Sequence, residues 1–599
     1  MAVPTARRRF LRLALVAIIF LISYLLLGPT DYIAAKTQWH NLKYIPSSYD
    51  WGKRQQVHPV DMSAMARLPE GTPRQLSRIQ HKFSADDLSS SHSKTRGARR
   101  DAVKRAAMKS WKAYREYAWG QDEVAPQSLV GVDSFAGWGA TLVDSLDTLW
   151  IMGLRREFYE AVRHVGRIDW NNATSPYCSL FETNIRYLGG LLSAYDLSQE
   201  KILLDKAVEL GDMLYAGFDT LNHMPANSFN FEQAKEGKLV ADKHESSAAA
   251  GTLSLEFTRL SQLTGDPKYY NAIAGVTRAL ERTQDSTNLP GMWPVFIDLW
   301  SGFRATGTDF SLGASSDSAY EYLSKMYALL GGLEPSYEKL HTKAMAAAKK
   351  HLLFRPMLPE MFPGTAPDIL FSGTALSNGQ IVELQPEVQH LGCFAGGMFA
   401  LGGRLFNQED HVRIGEQLAR GCAWAYHAFP TGIMPEVSEV IPCEKKRDGV
   451  DGNDDFPRCA WNESRWKAHG EHVVRFPKGF VAVRGPEYHL RPEAIESIFI
   501  LYRITGKADL LDVAWRMFES IKEATETRHA YSAISDVQTT GRTTKIDSME
   551  SFWIAETLKY FYLIFSEPDL ISLDDYVFNT EAHPLRIPKP ADSRVKGDT

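Results

Sequence analysis

The chain has 599 residues, of which 44% are hydrophobic and 23% are charged, and its formal net charge at pH 7 is −5. This is the composition of an ordinary globular protein, and the length would accommodate about two to four domains. A protein that binds nucleic acid needs a basic surface stripe, and the sequence supplies no such stripe. We therefore expect no nucleic-acid partner.

The first 28 residues have the features of a membrane anchor. Four arginines between positions 7 and 12 precede residues 13–28, which carry no charge and are nearly all apolar. These roughly 16 residues fall slightly short of the ~20 that span a bilayer, and including residues 10 and 11 extends them to a sufficient length. We predict a cytosolic tail (1–12), a transmembrane signal anchor (13–28) and a luminal remainder. A cleaved signal peptide is the alternative, although no clean small-x-small cleavage site follows.

The rest of the chain divides into a polar segment, a folded domain and a short tail. Residues 29–95 are polar, irregular and rich in Ser and Pro, which predicts a stem of low order between membrane and domain. Helical periodicity begins near residue 99 and continues to the C-terminal region. We assign residues 96–587 to one folded domain and residues 588–599 to a disordered tail.

Within this domain, one arrangement recurs: a carboxylate stands at the start of an apolar, helix-periodic run that ends at a turn. It occurs at Glu182, Asp317, Glu493 and Glu550. About seven helix pairs can be traced, with Gly or Gly-Asp-Pro between the partners, and the first helix of each pair is the more apolar. This pattern predicts an all-α barrel with an inner and an outer ring, whose acidic helix starts face one cavity, and short β-hairpins between helices near 479–483 and 531–534. An open α-solenoid is the alternative.

The cysteines and glycosylation motifs agree with a luminal domain. Cys393 and Cys422 lie in neighbouring helical runs, Cys443 and Cys459 bracket a polar loop, and Cys178 is left over. Two disulfides and one free thiol are the simplest division, although the sequence does not establish the pairing. No cysteine or histidine spacing indicates a zinc site. The candidate glycosylation sites are Asn172 and Asn462.

Several acids on apolar helices are difficult to explain as solvated charges. Buried carboxylates need cations, hydrogen bonds or protonation. Two carboxylates across a cavity suit glycoside hydrolysis, and carboxylates among hydroxyl and carbonyl oxygens suit Ca²⁺. An ion pair between Glu182 and Arg186, four residues apart, is the structural alternative for that position. Trp293, Trp300 and Phe552 are candidate platforms for sugar rings, or else core residues.

Seven stretches of the chain carry a family resemblance: 137–149, 181–195, 317–323, 390–394, 490–503, 549–560 and 578–585. The most specific is Phe-Asn-Thr-Glu-Ala-His-Pro at 578–584. Together they resemble the class I α1,2-mannosidases, glycoside hydrolase family 47, over residues 100–587. The resemblance implies an (α/α)7 barrel and a Ca²⁺-dependent, inverting hydrolase that removes terminal α1,2-linked mannose from high-mannose N-glycans.

The resemblance also implies a role for each motif residue. Glu182 corresponds to the general acid, acting directly or through a water, Glu493 to the base that activates the attacking water, and Asp317 to a third catalytic carboxylate. Thr580 corresponds to the direct protein ligand of Ca²⁺. The residues that would hold the waters of the ion are Glu496, Glu550 and Glu581. The residues that would bind the substrate are Arg186, His390, Arg491, Phe552 and Glu496. Cys393–Cys422 matches the disulfide of the family.

Three positions depart from the members that remove a single mannose. Ser315 replaces an arginine, Gln389 replaces an aspartate, and Ala249 replaces the glutamate of many relatives. These positions shape the groove for the glycan branches, so broader trimming is expected. Two other functions are alternatives to an active trimming enzyme. One is a degradation-factor relative that marks misfolded glycoproteins, and the other is a lectin-like binder without turnover.

Overall fold

The computed structural model describes residues 42–84, 90–360, 367–444 and 455–590. The predicted cytosolic tail, the signal anchor at 13–28 and most of the C-terminal tail lie outside these ranges. Within them, no helix combines the length and the hydropathy that are needed to cross a bilayer.

In the described part of the chain, seven helical segments form an inner ring. Each contacts the next along the chain, and the π-helical turn Trp553–Thr557 contacts the first segment again, so the ring closes. The closed ring confirms the predicted helical barrel and excludes the open solenoid. The inner segments are Ala140–Asp144 with Leu146–Ile151, Thr183–Leu188 with Gly189–Ser198, Ser247–Gly251 with Ser254–Thr264, Asp317–Leu329, Ala395–Leu405, Glu493–Thr505, and Trp553–Thr557 with Leu558–Ile564.

An outer layer of helices covers this ring. Six outer helices pack against the inner helix that precedes each of them, and Ser90–Tyr117 packs against the last inner helix. The outer helices are Ser90–Tyr117, Arg155–Val165, Lys201–Tyr215, Pro267–Thr283, Ser336–His351, Glu409–Ala428 and Asp509–Thr525.

Sequence pattern explains which layer a helix occupies. In inner helix Glu493–Thr505, the eleven consecutive residues 494–504 are buried, as expected for a helix that is apolar on every side. Outer helix Asp509–Thr525 buries one stripe, at positions 510, 514, 517, 518, 521, 524 and 525. This stripe has the spacing of one helical face, so the outer helices separate the core from solvent.

The turns between layers use the expected stop and start residues. Helix Ser254–Thr264 ends at Gly265, whose φ of +75° lies in the left-handed region that glycine adopts readily. The side chain of Asp266 then accepts a hydrogen bond from the backbone N–H of Lys268 at 3.0 Å, and Pro267 occupies the first helical position. The chain therefore reverses within three residues.

Short antiparallel strands lie between the helices. The predicted strand near 479–483 is present as Phe480–Gly485, in a three-stranded sheet with Val437–Val440 and Glu387–Gln389. The hairpin expected at 531–534 is reduced to isolated bridges, because Tyr531 and Ile534 pair with separate partners. The other pairings are Glu123–Ala125 with Val130–Val132, Tyr177–Ser179 with Ser228–Asn230, Glu245–Ser246 with Phe296–Ile297, Leu353–Phe354 with Phe371–Ser372, Thr374–Ser377 with both Val382–Gln385 and Asp309–Phe310, and Tyr576–Phe578 with Pro584–Arg586.

The last of these hairpins enters the barrel. Tyr576–Phe578 contacts inner helix Asp317–Leu329, and Pro584–Arg586 contacts inner helix Gly189–Ser198. Residues 579–583 form the turn of this hairpin and are buried, apart from the half-buried Thr580. The hairpin therefore brings the C-terminal motif to the centre of the ring.

Residues 42–84, which we call the belt, pack on the barrel, so the prediction of low order for the stem is wrong for this segment. Trp51 and Ile79 are buried against the domain, and side chains and carbonyl oxygens of the domain accept hydrogen bonds from the belt. The polar composition of the belt does not reveal this packing. A few apolar residues are enough to attach the belt when the barrel supplies its hydrogen-bond partners. In chain order the belt contacts Glu209, Asp219, Asn271, Gly331 and Arg503.

Two disulfides form among the described cysteines. Cys393 bonds to Cys422, with Cα atoms 6.0 Å apart, as the resemblance implied. Cys443 bonds to Cys459, with Cα atoms 5.6 Å apart, and Cys178 is a buried free thiol. The side chains of the predicted glycosylation sites, Asn172 and Asn462, are both exposed.

Candidate active site

A cavity of about 380 Å³ opens at the N-terminal ends of the inner helices and is rich in carboxylates. Three of the four predicted acidic helix starts, Glu182, Asp317 and Glu493, converge there. Nine of the predicted site residues line it: Glu182, Arg186, Asp317, Arg491, Glu493, Glu496, Phe552, Thr580 and Glu581.

Arg186 joins three elements at the base of this cavity. It lies on the π-helical turn Thr183–Leu188, and its Nε donates to Glu182 Oε2 at 2.8 Å. Its Nη1 donates to Glu581 Oε2 at 2.8 Å and to Ser551 Oγ at 3.1 Å. The ion pair predicted from the spacing of Glu182 and Arg186 is therefore formed, and it coexists with a place for both residues in the cavity wall.

Glu493 is held as an anion by a buried histidine. His390 Nδ1 lies 2.8 Å from Glu493 Oε2, and His390 Nε2 lies 2.7 Å from the Tyr426 hydroxyl. An ionised carboxylate only accepts, so Nδ1 donates. Burial acts to raise the pKa of Glu493, but the hydrogen bond from His390 and the charges of His390 and Arg491 outweigh it and lower the pKa. His390 is fully buried and lies behind Glu493, outside the cavity lining.

Asp317 has the opposite electrostatic environment. It is the first residue of helix Asp317–Leu329, and its Oδ1 accepts the backbone N–H of Ser318 at 2.9 Å. Burial, together with the charges of Glu321 and Glu493, raises the pKa of Asp317 to about 7. Near neutral pH, Asp317 is thus able to carry a proton while Glu493 is ionised.

The acids around Thr580 repel one another. Burial raises the pKa of Glu581 to about 8 against the opposing charge of Arg186, and repulsion from Asp144 and Glu182 adds to the rise. Burial also raises the pKa of Glu496 well above its usual value against the opposing charge of Lys325, and the charges of Glu321 and Glu493 add to this rise. Such a group of oxygen ligands is complementary to a hard cation such as Ca²⁺. Among the described residues, no three His, Cys, Asp or Glu side chains form a direct metal site.

A buried ion network supports the hairpin that carries Thr580. His583 Nε2 lies 2.9 Å from Asp144 Oδ1, and His583 Nδ1 lies 2.8 Å from Asp147 Oδ2. Burial acts to lower the pKa of His583, but the charge of Asp147 and the hydrogen bonds to both aspartates raise it to about 9. Lys559 Nζ pairs with Asp147 at 2.8 Å and donates to the Ala582 carbonyl oxygen at 2.7 Å. These contacts fix the hairpin to the inner helices.

Comparison with known proteins identifies the family. Residues 106–587 match Glycosyl hydrolase family 47. The chain belongs to glycosyl hydrolase family 47. A mannosyl-oligosaccharide 1,2-alpha-mannosidase of Arabidopsis thaliana is 35% identical over 504 residues, which are 83% of this chain and 80% of that protein.

Two further relatives agree. The endoplasmic reticulum mannosyl-oligosaccharide 1,2-alpha-mannosidase of Homo sapiens is 34% identical over 491 residues, covering 80% of this chain and 63% of that protein. The solved structure of an alpha-1,2-mannosidase from Trichoderma reesei has a TM-score of 0.72 and 32% identity, covering 82% of this chain and 99% of that chain. This family 47 enzyme is therefore an inverting glycoside hydrolase that removes terminal α1,2-linked mannose from high-mannose N-glycans.

One acid in the cavity wall of the family 47 enzyme was not among the residues predicted from the sequence. Glu556, and not Glu550, lines the cavity. Burial raises the pKa of Glu556 well above its usual value, and the charges of Glu581 and Glu496 add to this shift. Glu556 follows Phe552 by four residues, and this helical spacing from a predicted pocket residue was the signal that could have found it.

The positions that depart from the narrow-specificity pattern divide into two groups. Ser315 and Ala249 line the cavity of the family 47 enzyme, and their small side chains leave space at its wall. Gln389 lies outside the lining, where its Oε1 accepts the backbone N–H of Ala314 at 2.9 Å. Gln389 thus supports the loop that carries Ser315.

The three candidate sugar platforms have different environments. Trp293 is fully buried and packs in the core. Phe552 forms part of the cavity wall, and its ring centroid lies 5.8 Å from the Arg186 guanidinium and 5.9 Å from that of Arg491. Trp300 is 53% exposed on a loop. Phe552 and Trp300 are therefore accessible to a ligand, and Trp293 is not.

Proposed function

We propose that Glu493 activates the attacking water, that Asp317 and Glu182 serve the leaving group, and that Ca²⁺ binds at Thr580. The opposite pKa shifts of Glu493 and Asp317 carry this assignment. An inverting glycosidase needs one ionised carboxylate to take a proton from water and one acid to protonate the leaving oxygen. Glu493 has the first property and Asp317 has the second.

We assign different tasks to Glu182 and Asp317. Arg186 holds Glu182 in an ion pair at 2.8 Å, which favours a positioning role or proton transfer through a water. The raised pKa of Asp317 supports it as the group that stores the proton. In this scheme Arg186 also keeps the carboxylates of Glu182 and Glu581 a fixed distance apart.

The metal proposal rests on the acids around Thr580. Its hydroxyl and carbonyl oxygens would be direct ligands, and Glu496, Glu556 and Glu581 would hold the waters of the ion. Ca²⁺ would supply positive charge that binds two mannose hydroxyls and favours distortion of the ring. The mutual repulsion of these buried acids supports the presence of a cation there.

We further propose that the enzyme trims several branches in the lumen of the secretory pathway. The small Ser315 and Ala249 leave room beside the cavity, which supports broad specificity. The two disulfides support an oxidising compartment, and the human relative is named for the endoplasmic reticulum. The signal anchor at 13–28 stays a prediction within this proposal, as does a resident compartment of endoplasmic reticulum or Golgi.

Digestion of a nine-mannose glycan tests the proposal. We expect the native enzyme to progress to five mannoses, and Glu493→Gln to release mannose at least about 1,000-fold more slowly while still binding the glycan. The neutral amide keeps the size of the side chain but cannot accept a proton. Undiminished turnover by the variant would contradict the role of Glu493, and a single dominant eight-mannose product from the native enzyme would contradict broad trimming.

A further inference from the structure

A pair of exposed rings lies next to the catalytic cavity. The imidazole of His244 stacks on the ring of Phe296, with centroids 4.3 Å apart and planes inclined by 20°. Phe296 is 43% exposed, and His244 is also exposed. Two rings that stack at the surface without being covered leave an apolar face in contact with water, which is a feature of binding sites.

The strand register points this face toward the cavity. Phe296 lies directly opposite Ser246 in the two-stranded pairing of Glu245–Ser246 with Phe296–Ile297. Directly opposite residues of an antiparallel pair project from the same face, and Ser246 lines the catalytic cavity. His244 lies in a bend just before this strand, and its stacking on Phe296 places it beside the same face. The stack is therefore continuous with the cavity wall.

The loops that carry the stack are fixed by hydrogen bonds. The Asp242 carbonyl oxygen accepts the backbone N–H groups of Leu299 and Trp300 at 2.9 and 3.0 Å. Asp242 Oδ2 accepts the N–H of Asn227, another cavity residue, at 2.7 Å. Because these contacts hold the ring pair in place before a ligand arrives, binding would cost little ordering of the protein.

The cavity wall close to Ser246 is built from small residues. Ser315, Ala248 and Ala249 line the cavity on this side, and the Ser315 carbonyl oxygen accepts the N–H of Ala248 at 3.0 Å. The small side chains at these positions leave space at the cavity wall, which Ser246 also lines next to the ring pair. Exposed apolar side chains on neighbouring loops extend the surface, with Val240 60% and Trp300 53% exposed.

We propose that His244 and Phe296 form a secondary glycan subsite, where mannose rings of an uncleaved branch pack their apolar faces while another branch is cut. This inference rests on the proposed trimming of branched glycans. Sugar rings have one face of C–H groups that suits an aromatic surface, and their hydroxyls remain in contact with water and with the polar rim. The subsite would contribute to the binding of large glycans and not to the bond cleavage itself.

The test compares a large and a small substrate. For Phe296→Leu we expect a kcat/KM on the free nine-mannose glycan that is about three- to tenfold lower, mainly through KM. On the α1,2-linked mannose disaccharide, which has no second branch, kcat/KM should stay within about twofold of the native value. Phe296→Trp keeps an aromatic face and should retain activity on the glycan.

Several outcomes would overturn the subsite. These are an equal loss on both substrates, no loss on either, or a loss confined to intact glycoprotein, which would indicate a peptide contact instead. Equal thermal midpoints of the native and variant proteins would show that folding is unaffected. A native enzyme that releases no mannose from either substrate would contradict the proposed function itself.

Discussion

At the scale of single residues, His390 sets the protonation of the proposed base. Its Nδ1 hydrogen bond to Glu493 measures 2.8 Å, and its hydrogen bond and charge help to lower the pKa of that carboxyl. A lowered pKa keeps Glu493 ionised, and able to act as a base, down to a more acidic pH. Activity is lost as pH falls through this pKa.

Replacement of His390 should therefore move the acid limb of the pH profile. We expect His390→Ala to shift that limb of kcat/KM upward by roughly one pH unit, measured on the nine-mannose glycan. Tyr426→Phe is the matched control, because it removes only the partner of His390 Nε2 and leaves the bond to Glu493. A variant with reduced activity but an unmoved acid limb would show that His390 acts through packing alone.

The sequence did not predict every acid that lines the cavity. Glu182, Asp317 and Glu493 could be placed in one cavity because each stands at a helix start. Glu550 was predicted by the same rule, but the inner segment begins at Trp553 with a π-helical turn, so Glu550 precedes it and Glu556 lies within it. The spacing of four residues from Phe552 indicates Glu556, but the rule of acidic helix starts does not reach an acid inside the helix.

At the scale of elements, the belt owes its attachment to buried polar contacts as well as to Trp51 and Ile79. Arg54 Nη2 pairs with Asp219 Oδ2 at 2.6 Å, with side chains only 4% and 0% exposed. The backbone N–H groups of Val57 and His58 donate to the same carboxylate at 2.9 and 2.7 Å. Asp219 is thus the main acceptor for this part of the belt.

Removing one partner of this pair should destabilise the protein. We expect Arg54→Ala to lower the free energy of unfolding by about 3 kcal/mol, because a buried carboxylate loses its counter-ion. Arg78→Ala is the control: Arg78 belongs to the same belt, but its pair with Asp574 measures 3.7 Å and its side chain is 58% exposed, so a loss below about 1 kcal/mol is expected. Equal thermal midpoints for the two variants would refute a structural role of the Arg54 pair.

At the scale of the whole molecule, the fold was largely predictable because helix pairs recur regularly along the sequence. Apolar first helices, amphipathic second helices and Gly-Asp-Pro turns mark the two layers, and the ring closes as expected. The belt was not predictable from composition, since its anchors are two residues 28 positions apart. Nor were the separate bridges of Tyr531 and Ile534, because Ile534 pairs with Tyr488, which is distant in sequence, and not within a local hairpin.

Metal removal should affect the whole barrel as well as catalysis. Thr580 lies in the turn of a hairpin that contacts inner helices from two parts of the ring, so a cation bound there links them. We expect chelation with EDTA to abolish mannose release and to lower the thermal midpoint, since a ligand at 1,000 times its Kd stabilises by about 4 kcal/mol. Added Ca²⁺ should restore both properties, whereas Mg²⁺ should not. Full activity and an unchanged midpoint in EDTA would refute the metal proposal.

The belt also has a consequence for where the enzyme can work. If the predicted anchor at 13–28 is present, at most residues 29–41 separate it from the belt, which is attached to the barrel from residue 42 onward. Thirteen residues reach at most about 45 Å when fully extended. The catalytic cavity would then stay close to the membrane that holds the enzyme. Diffusion along that membrane would therefore govern its encounters with glycoproteins anchored in the same membrane.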